Sequence, residues 1–297
     1  AYWAADFNDF NELYLSGRNG SPHYTIKVSD SGSELWRDDS HGGDAYSATS
    51  DGKYGYSVAW GGPVKKFLDS NTSLASSTVG RYSIVADENG NIYATQNYSL
   101  KRLNSDFVTT DWEYTVTSPA TSIQSHLVYK DGYVYFVGVD WDTRMIGHIL
   151  KLDATTGALV WRANFTEGSN AQNAILAITK DFVYCSVNST TYQFSQNDGS
   201  QTNTFSAIAN IVGLDYSLYG NYGGTIKEFD SNFNITQDLG TSDNLINLDE
   251  ATMLTYTGTT FTLYNHDNIN INMPYNNGSQ ILPIRVSDLD GTDLNIT

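Results

Sequence analysis

The chain has 297 residues, 33 of them acidic and 16 basic, which gives a formal net charge of −17 and a pI near 4.4. This balance argues against nucleic acid and anionic membrane surfaces as partners, because both attract clustered lysine and arginine. A single cysteine excludes an intramolecular disulfide framework and any cysteine-based zinc or iron–sulfur site.

Short alternating or β-branched runs, separated by Gly, Asn and Asp, follow one another along the chain, and helical periodicity is almost absent. A turn residue followed closely by a tyrosine recurs every 35 to 49 residues. The positions are Tyr14, Tyr54, Tyr93, Tyr135, Tyr184 and Tyr219, with Leu254 as a weaker seventh. Units of this size accommodate four short strands, so the repeat predicts an all-β, seven-bladed β-propeller of four-stranded antiparallel blades, with eight blades as the alternative.

Two further markers recur between these tyrosines. An alternating strand that ends in an acidic or amide turn occurs at residues 26–30, 66–69, 101–104, 150–153, 227–230 and 262–265. A tryptophan in the following strand occurs at Trp36, Trp112 and Trp161. One four-stranded sheet cannot cover both of its faces, whereas radial stacking of the units buries these faces and closes the ring.

Residues 152–161 read Leu-Asp-Ala-Thr-Thr-Gly-Ala-Leu-Val-Trp. This segment resembles the repeat of the PQQ-like (quinoprotein-type) β-propeller superfamily, in which a Leu-Asp-x-x-Thr-Gly turn precedes a strand whose tryptophan packs between blades. The resemblance implies the fold and says little about function. Quinone-dependent enzymes of this superfamily use a catalytic Asp, a calcium ion and often a vicinal disulfide. One cysteine excludes that disulfide and no matching site motif is present, so a non-enzymatic member without a cofactor is expected.

Seven units account for the chain up to its C-terminal segment, which is left over. We predict a propeller over residues 1–278 and an extra strand within residues 279–297, because residues 284–288 repeat the pattern of residues 26–30. This strand closes the ring beside the first blade, is the remnant of an eighth blade, or docks on a neighbouring subunit by strand addition.

Residues with catalytic or metal-binding potential are few. The serine-nucleophile, zinc-protease and phosphate-binding loop motifs are absent. The carboxylates of Asp38, Asp39 and Asp111 would suit a glycosidase, but any acidic β-protein offers such residues. Asp288, Asp290 and Asp293 surround a glycine turn and could bind a structural calcium ion, with hydrogen-bonded turns as the alternative.

Three aromatic residues are predicted to contact a partner. Trp60, Tyr98 and Trp141 lie beside Gly, Asn or Asp at presumed strand ends or loops. Exposed rings next to polar groups suit sugars or proteins, because the ring buries area while its neighbours fix the orientation. A purely structural role in blade packing is the alternative.

These features predict a non-catalytic binding or structural protein, because they combine no catalytic motif with a fold that presents many loops. The polar, lysine-poor surface favours an extracellular or virion-surface location, with attachment to protein partners in a larger assembly or to a glycan or protein receptor. A periplasmic or cell-surface assembly scaffold is the alternative, followed by a glycan-active hydrolase or lyase. Apolar stretches reach only about seven residues, so no membrane span is expected.

Overall fold

A computed structural model shows a chain built from β-strands. The residues that it leaves undescribed are 1, 8–11, 19–22, 30–32, 41–44, 60–61, 69, 78–81, 105–106, 108, 118–121, 124–126, 141–145, 167–173, 189, 215, 241–243, 249–251, 258–259, 266–268, 275–284 and 289–297. All regular secondary structure in the remaining residues is β-strand.

The strands form antiparallel sheets in chain order, seven in the described residues. Sheets 1 and 2 contain β1 (Tyr2–Phe7), β2 (Leu13–Arg18), β3 (His23–Val28), β4 (Glu34–Asp38), β5 (Ala45–Ser50), β6 (Gly55–Ala59), β7 (Val64–Phe67) and β8 (Ala75–Ser77). Sheets 3 and 4 contain β9 (Ile84–Ala86), β10 (Ile92–Gln96), β11 (Ser99–Leu103), β12 (Thr110–Thr115), β13 (Ser122–Ile123), β14 (Val128–Lys130), β15 (Tyr133–Val139), β16 (Ile146–Asp153) and β17 (Leu159–Thr166). Sheets 5 and 6 contain β18 (Ile175–Ile178), β19 (Phe182–Val187), β20 (Thr190–Ser195), β21 (Gln201–Ser206), β22 (Ala209–Leu214), β23 (Ser217–Tyr222), β24 (Thr225–Phe229) and β25 (Ile235–Asp238). Sheet 7 contains β26 (Asn244–Leu248), β27 (Thr252–Thr257), β28 (Thr260–Asn265), β29 (Ile269–Pro274) and β30 (Arg285–Asp288).

The sheets are arranged in a ring. An inner strand of each sheet contacts the inner strand of the next, in the cyclic order β1, β5, β9, β14, β18, β22, β26 and back to β1. This arrangement confirms the all-β propeller predicted from the repeat, and each repeat unit corresponds to one sheet. The strand β30 in the predicted C-terminal segment pairs with β29 and lies at the outer edge of sheet 7.

The repeated tyrosines lie on the second strand of their sheets, each opposite a residue of the third strand. The pairs are Tyr14–Lys27, Tyr56–Lys66, Tyr93–Arg102, Tyr135–Lys151, Tyr184–Gln193 and Tyr219–Glu228. In sheet 2 the aligned tyrosine is Tyr56, which is 1% exposed, so the sequence assignment of Tyr54 is wrong. Tyr54 lies before β6 begins, at the end of the preceding turn, and is only partly buried.

Sheets 4 and 5 are joined by side chains that converge on one turn. The indole Nε1 of Trp161 and the Nζ of Lys151 donate to the carbonyl oxygen of Gln196, at 2.9 and 3.0 Å. The hydroxyl of Tyr135 donates to the side-chain Oε1 of Gln196 at 2.9 Å. Gln196 lies between β20 and β21, the third and fourth strands of sheet 5. We call this arrangement, in which one sheet donates to the strand 3–4 turn of the next, the inter-sheet clasp.

The same clasp joins other neighbouring sheets, with different residues as the donors. Trp112 and Tyr93 of sheet 3 donate to the carbonyl oxygen of Ala154, at 3.1 and 3.3 Å. In further clasps, Tyr14 and Lys27 donate to the carbonyl of Leu68, at 3.4 and 3.2 Å, and Gln193 donates to the carbonyl of Ser231, at 2.7 Å. Burial raises the pKa of Tyr93 well above its ordinary value, so that its hydroxyl remains a donor.

The Asp-x-x-Thr-Gly turn is shaped to receive the clasp. The Oδ1 of Asp153 accepts from the backbone N–H groups of Thr155 and Thr156, at 3.1 and 2.7 Å, which fixes the turn. Gly157 has a φ of +72°, and a Cβ there would lie 2.6 Å from the ring of Trp112 in the preceding sheet. A glycine is therefore required both by the backbone conformation and by the close approach of the ring.

A β-bulge recurs on the outer strand beside the clasp. In sheets 1, 3, 4, 5 and 6 the register between the third and fourth strands shifts at the same place. The residues left unpaired are Leu35, Asp111, Val160, Thr202 and Thr236. A bulge interrupts the hydrogen-bonding ladder of an edge strand and increases its twist, which disfavours edge-to-edge association.

A buried ion pair joins sheets 1 and 2. The Nζ of Lys65 lies 2.9 Å from Oδ2 of Asp38, and their side chains are 9% and 5% exposed. Lys65 also donates to the Oγ of Ser40 at 2.6 Å. Removal of the Asp38 charge would leave Lys65 buried without its countercharge.

We predict that Gly157→Ala destabilises the protein more than Gly132→Ala does. Both glycines have a positive φ, +72° and +80°, but a Cβ at Gly132 meets no atom within 4 Å. The difference in unfolding free energy isolates the contact with Trp112 and should be about 1–3 kcal/mol, measured by urea unfolding. Equal losses in the two variants would contradict a clasp role for this contact.

We predict that Asp38→Asn lowers the unfolding free energy by about 3 kcal/mol, because Lys65 remains buried without a countercharge. The matched control is Glu34→Gln, which breaks the exposed pair with Arg37 and should cost less than about 1 kcal/mol. Urea unfolding of both variants measures the contrast, and a similar cost for each would show that the buried pair adds nothing.

Candidate functional site at the junction of sheets 3 and 4

The two ends of the ring carry different connections. Because the strands are antiparallel, the connections between second and third strands all emerge at one end, which we call the strand 2–3 rim. The strand 3–4 turns that receive the clasps lie at the opposite end. Tyr98 lies on the strand 2–3 rim, between β10 and β11, and its side chain is 58% exposed.

The other two predicted contact residues belong to the corresponding connections of the neighbouring sheets. Trp60 follows β6 in sheet 2, and Trp141 follows β15 in sheet 4. Both lie outside the described residues.

A buried polar group lies on sheet 4 close to this rim. His148 of β16 is 1% exposed, and its Nδ1 lies 2.5 Å from Oδ1 of Asn164, the residue opposite it on β17. Its Nε2 is buried and has no hydrogen-bond partner among the residues that the structure describes. A buried polar atom without a partner carries a desolvation penalty, so its surroundings require an explanation.

Arg162 lies next to this histidine on the same face of sheet 4. Its Nη1 donates to the backbone carbonyl of Thr117 in sheet 3, at 3.2 Å. Its Nη2 is buried and lacks a hydrogen-bond partner in the described part of the chain. We call His148, Asn164 and Arg162 the polar junction.

The polar junction is connected to the exposed aromatic residue through the end of β12. The backbone N–H of Val116 donates to the carbonyl oxygen of Tyr98 at 2.8 Å. Thr117, which follows Val116, accepts the hydrogen bond from Arg162. Tyr98 and the polar junction are therefore held on either side of one short backbone segment.

Burial determines the charge state of the histidine. It lowers the pKa of His148, and the nearby Arg162 lowers it further, whereas the hydrogen bond with Asn164 and the carboxylate of Asp140 raise it. The imidazole is therefore neutral at pH 7. If Asn164 accepts through Oδ1, the ring proton is on Nδ1, and Nε2 presents a lone pair beside the unpartnered Nη2 donor of Arg162.

The remaining predicted site residues do not form a common site. Asp38 pairs with Lys65 in sheets 1 and 2, whereas Asp111 lies in sheet 3, 3.5 Å from Nε of Arg102. Asp288 ends β30, whereas Asp290 and Asp293 lie outside the described residues, so calcium binding stays a prediction. In the part of the chain that the structure describes, no three His, Cys, Asp or Glu residues lie close enough to bind a metal ion.

Sequence reasoning missed the polar junction. Its one visible signal is a histidine between Gly147 and Ile149, in the apolar first half of β16. The alternation of the strand does not tell which sheet face carries His148 or which residue of β17 lies opposite it, because that depends on the register.

Comparisons with known proteins identify the fold. No protein-family model and no curated protein matches the chain. Among solved structures, BamB from Moraxella catarrhalis matches with a TM-score of 0.61 and 14% identity, over 93% of this chain and 84% of that one. The computationally designed Ika8 protein matches with a TM-score of 0.59 and 14% identity, over 98% and 94%. The match to BamB, a PQQ-like β-propeller protein, supports the propeller fold. The described residues contain no helix with the length and apolarity to cross a membrane.

We predict that the burial of neutral His148 makes stability pH-dependent. In the unfolded chain a histidine has a pKa near 6.5, whereas in the folded chain it is lower, so the unfolded state binds the proton first as pH falls. The unfolding free energy should therefore decrease below about pH 6.5. In His148→Gln, urea unfolding between pH 8 and pH 5 should show a smaller decrease. Parallel curves for the two proteins would show that His148 does not contribute.

Proposed function

We propose that this protein is a non-catalytic binding and structural component that attaches to a partner through the strand 2–3 rim of sheets 2 to 4. In this proposal it is part of an extracellular assembly such as a virus particle, where it contacts another protein or a host-cell receptor. One observation carries the proposal. Tyr98 is exposed on the strand 2–3 connection of sheet 3, and the predicted contact residues Trp60 and Trp141 follow β6 and β15 in the chain.

The geometry around Tyr98 suits recognition. A ring that is 58% exposed can bury area against a partner, and its backbone is fixed by the hydrogen bond from Val116, so little ordering is needed on binding. Tyrosine and tryptophan supply the largest contributions at many protein interfaces because they combine area with a polar group. The inter-sheet clasps hold the loops of this rim on a rigid ring.

The placement of the carboxylates supports a non-catalytic role. Glycoside hydrolysis needs two carboxyl groups on either side of one bond. Asp38 and Asp111 instead lie in sheets 1 and 3, and each is engaged by a basic residue. A glycan panel incubated with the protein should show binding or no effect, without turnover.

A periplasmic or cell-surface assembly scaffold is a second candidate, favoured by the likeness in fold to BamB. Mass spectrometry of purified virus-sized particles and of cell-envelope fractions from the source distinguishes the two. The virion proposal requires enrichment of the chain in the particles, and enrichment in the envelope fraction would favour the scaffold instead.

We predict that assembly protects Tyr98 but not Tyr216 from hydroxyl-radical oxidation. The two side chains are almost equally exposed, 58% and 59%, but Tyr216 lies in the turn between β22 and β23, at the opposite end of the ring. The oxidation of each tyrosine is compared between the isolated protein and the native assembly. Protection of Tyr216 alone, or of neither residue, would contradict binding through the strand 2–3 rim.

A further inference from the structure

We infer that the outer edge of sheet 7 is a self-association surface, at which β30 of one copy pairs antiparallel with β30 of a second copy. The contact joins two five-stranded sheets into one continuous sheet across two copies of this chain. This inference goes beyond the proposed function, because it names a second contact surface that does not depend on the strand 2–3 rim.

The first argument is that the edge of sheet 7 lacks the interruption found in the other sheets. In sheets 1, 3, 4, 5 and 6 a bulge shifts the register between the third and fourth strands, and the outer strand of sheet 2 has only three residues. In sheet 7 the register is continuous over five pairs between β28 and β29 and over four pairs between β29 and β30. A regular edge is a template for another strand, because its unpaired N–H and C=O groups form a row.

The second argument is the position of β30 in the sheet. It pairs with β29 on one side, and no other strand in the described part of the chain pairs with its other side. In an antiparallel strand, successive residues direct their backbone groups alternately to the two sides. Half of the backbone hydrogen-bonding groups of β30 therefore point away from sheet 7, and a second strand can pair with them.

The third argument is the order of the charges in β30, whose sequence is Arg-Val-Ser-Asp over residues 285–288. When this strand pairs with itself around a two-fold axis at its centre, Arg285 of each copy lies opposite Asp288 of the other. Opposite charges at directly opposed positions stabilise an antiparallel pair, whereas like charges destabilise it. A charge on an edge strand commonly opposes self-pairing, but this order of charges favours it.

The register of sheet 7 leaves both charges without an opposite charge on the neighbouring strand. Arg285 is opposite Asn272, and Asp288 is opposite Ile269. The whole of β29, Ile269–Pro274, contains no charged residue. A second copy of β30 therefore supplies, at both positions, the countercharge that β29 does not.

Sedimentation velocity of the full chain tests the inference. At about 0.15 M salt the Debye length is about 8 Å, which limits the repulsion between two copies of net charge −17. Wild-type protein should form a dimer as its concentration rises to about 1 mM, because a contact of this size is weak. Arg285→Asp and Asp288→Arg each place like charges opposite each other at both positions, and each should weaken the dimer by about tenfold or more.

The matched control is a mixture of the two variants. When an Arg285→Asp chain pairs with an Asp288→Arg chain, opposite charges meet again at both positions. The mixture should therefore recover the dimer that each variant loses alone, and a change in net charge cannot produce this recovery. A chain that carries both substitutions should dimerise as the wild type does, for the same reason.

Hydrogen exchange of the wild-type protein gives a second readout that needs no variant to fold. The backbone amides of β30 should exchange more slowly in concentrated protein than in dilute protein. The amides of β21, an outer strand interrupted by a bulge at Thr202, should exchange equally in both.

The outcomes separate this inference from the proposed function. A wild-type protein that stays monomeric up to about 1 mM overturns the inference. A dimer that both variants retain, or that their mixture does not recover, also overturns it, as does equal slowing of exchange in β21 and β30. None of these results concerns the strand 2–3 rim, so protection of Tyr98 in the assembly would still support the proposed function.

Discussion

The contact between neighbouring sheets depends on a backbone carbonyl in the turn between the third and fourth strands. A buried carbonyl without a donor costs about 1–3 kcal/mol, so each turn requires donors from the preceding sheet. Trp161 and Lys151 satisfy this requirement at Gln196, and a glycine at position 199 allows the indole to approach the turn. Where tryptophan is absent, aromatic stacking fills the space, as between Tyr56 and Phe107 with centroids 5.7 Å apart.

The clasps restrict which residues can occupy the strand 3–4 turns at one end of the ring, and they place no such restriction on the other end. Every clasp described is received by a strand 3–4 turn, which must present a carbonyl and, beside a tryptophan, a glycine. The residues of the strand 2–3 rim that the structure describes receive no clasp. Exposed side chains such as Tyr98 can therefore change there without loss of packing, which is why a recognition surface is compatible with this rim. The polar junction lies at the end of the interface between sheets 3 and 4 that is close to the strand 2–3 rim.

The sequence predicted the ring because its repeat arises from the clasp itself. The positions represented by Tyr93, Trp112 and the turn at Asp153 recur because they form the contact between neighbouring sheets. Their regular spacing is therefore visible in the sequence. The bulges at Leu35 and Val160 could not be predicted, because they depend on which residue lies opposite on the next strand. The same limit applied to His148, whereas Tyr54 was misassigned because the position at which β6 begins could not be read from the sequence. A shift of one residue reverses the face of every side chain in a strand, and periodicity does not fix that register.

The most direct measurement is a double-mutant cycle with Lys151→Met and Trp161→Phe, which remove the two donors to the carbonyl of Gln196. Either single variant leaves one donor in place, whereas the double variant leaves the carbonyl buried without one. We expect urea unfolding to show a loss of unfolding free energy in the double variant that exceeds the sum of the single losses by about 1–3 kcal/mol. Additive losses would contradict the claim that the shared carbonyl holds the sheets together.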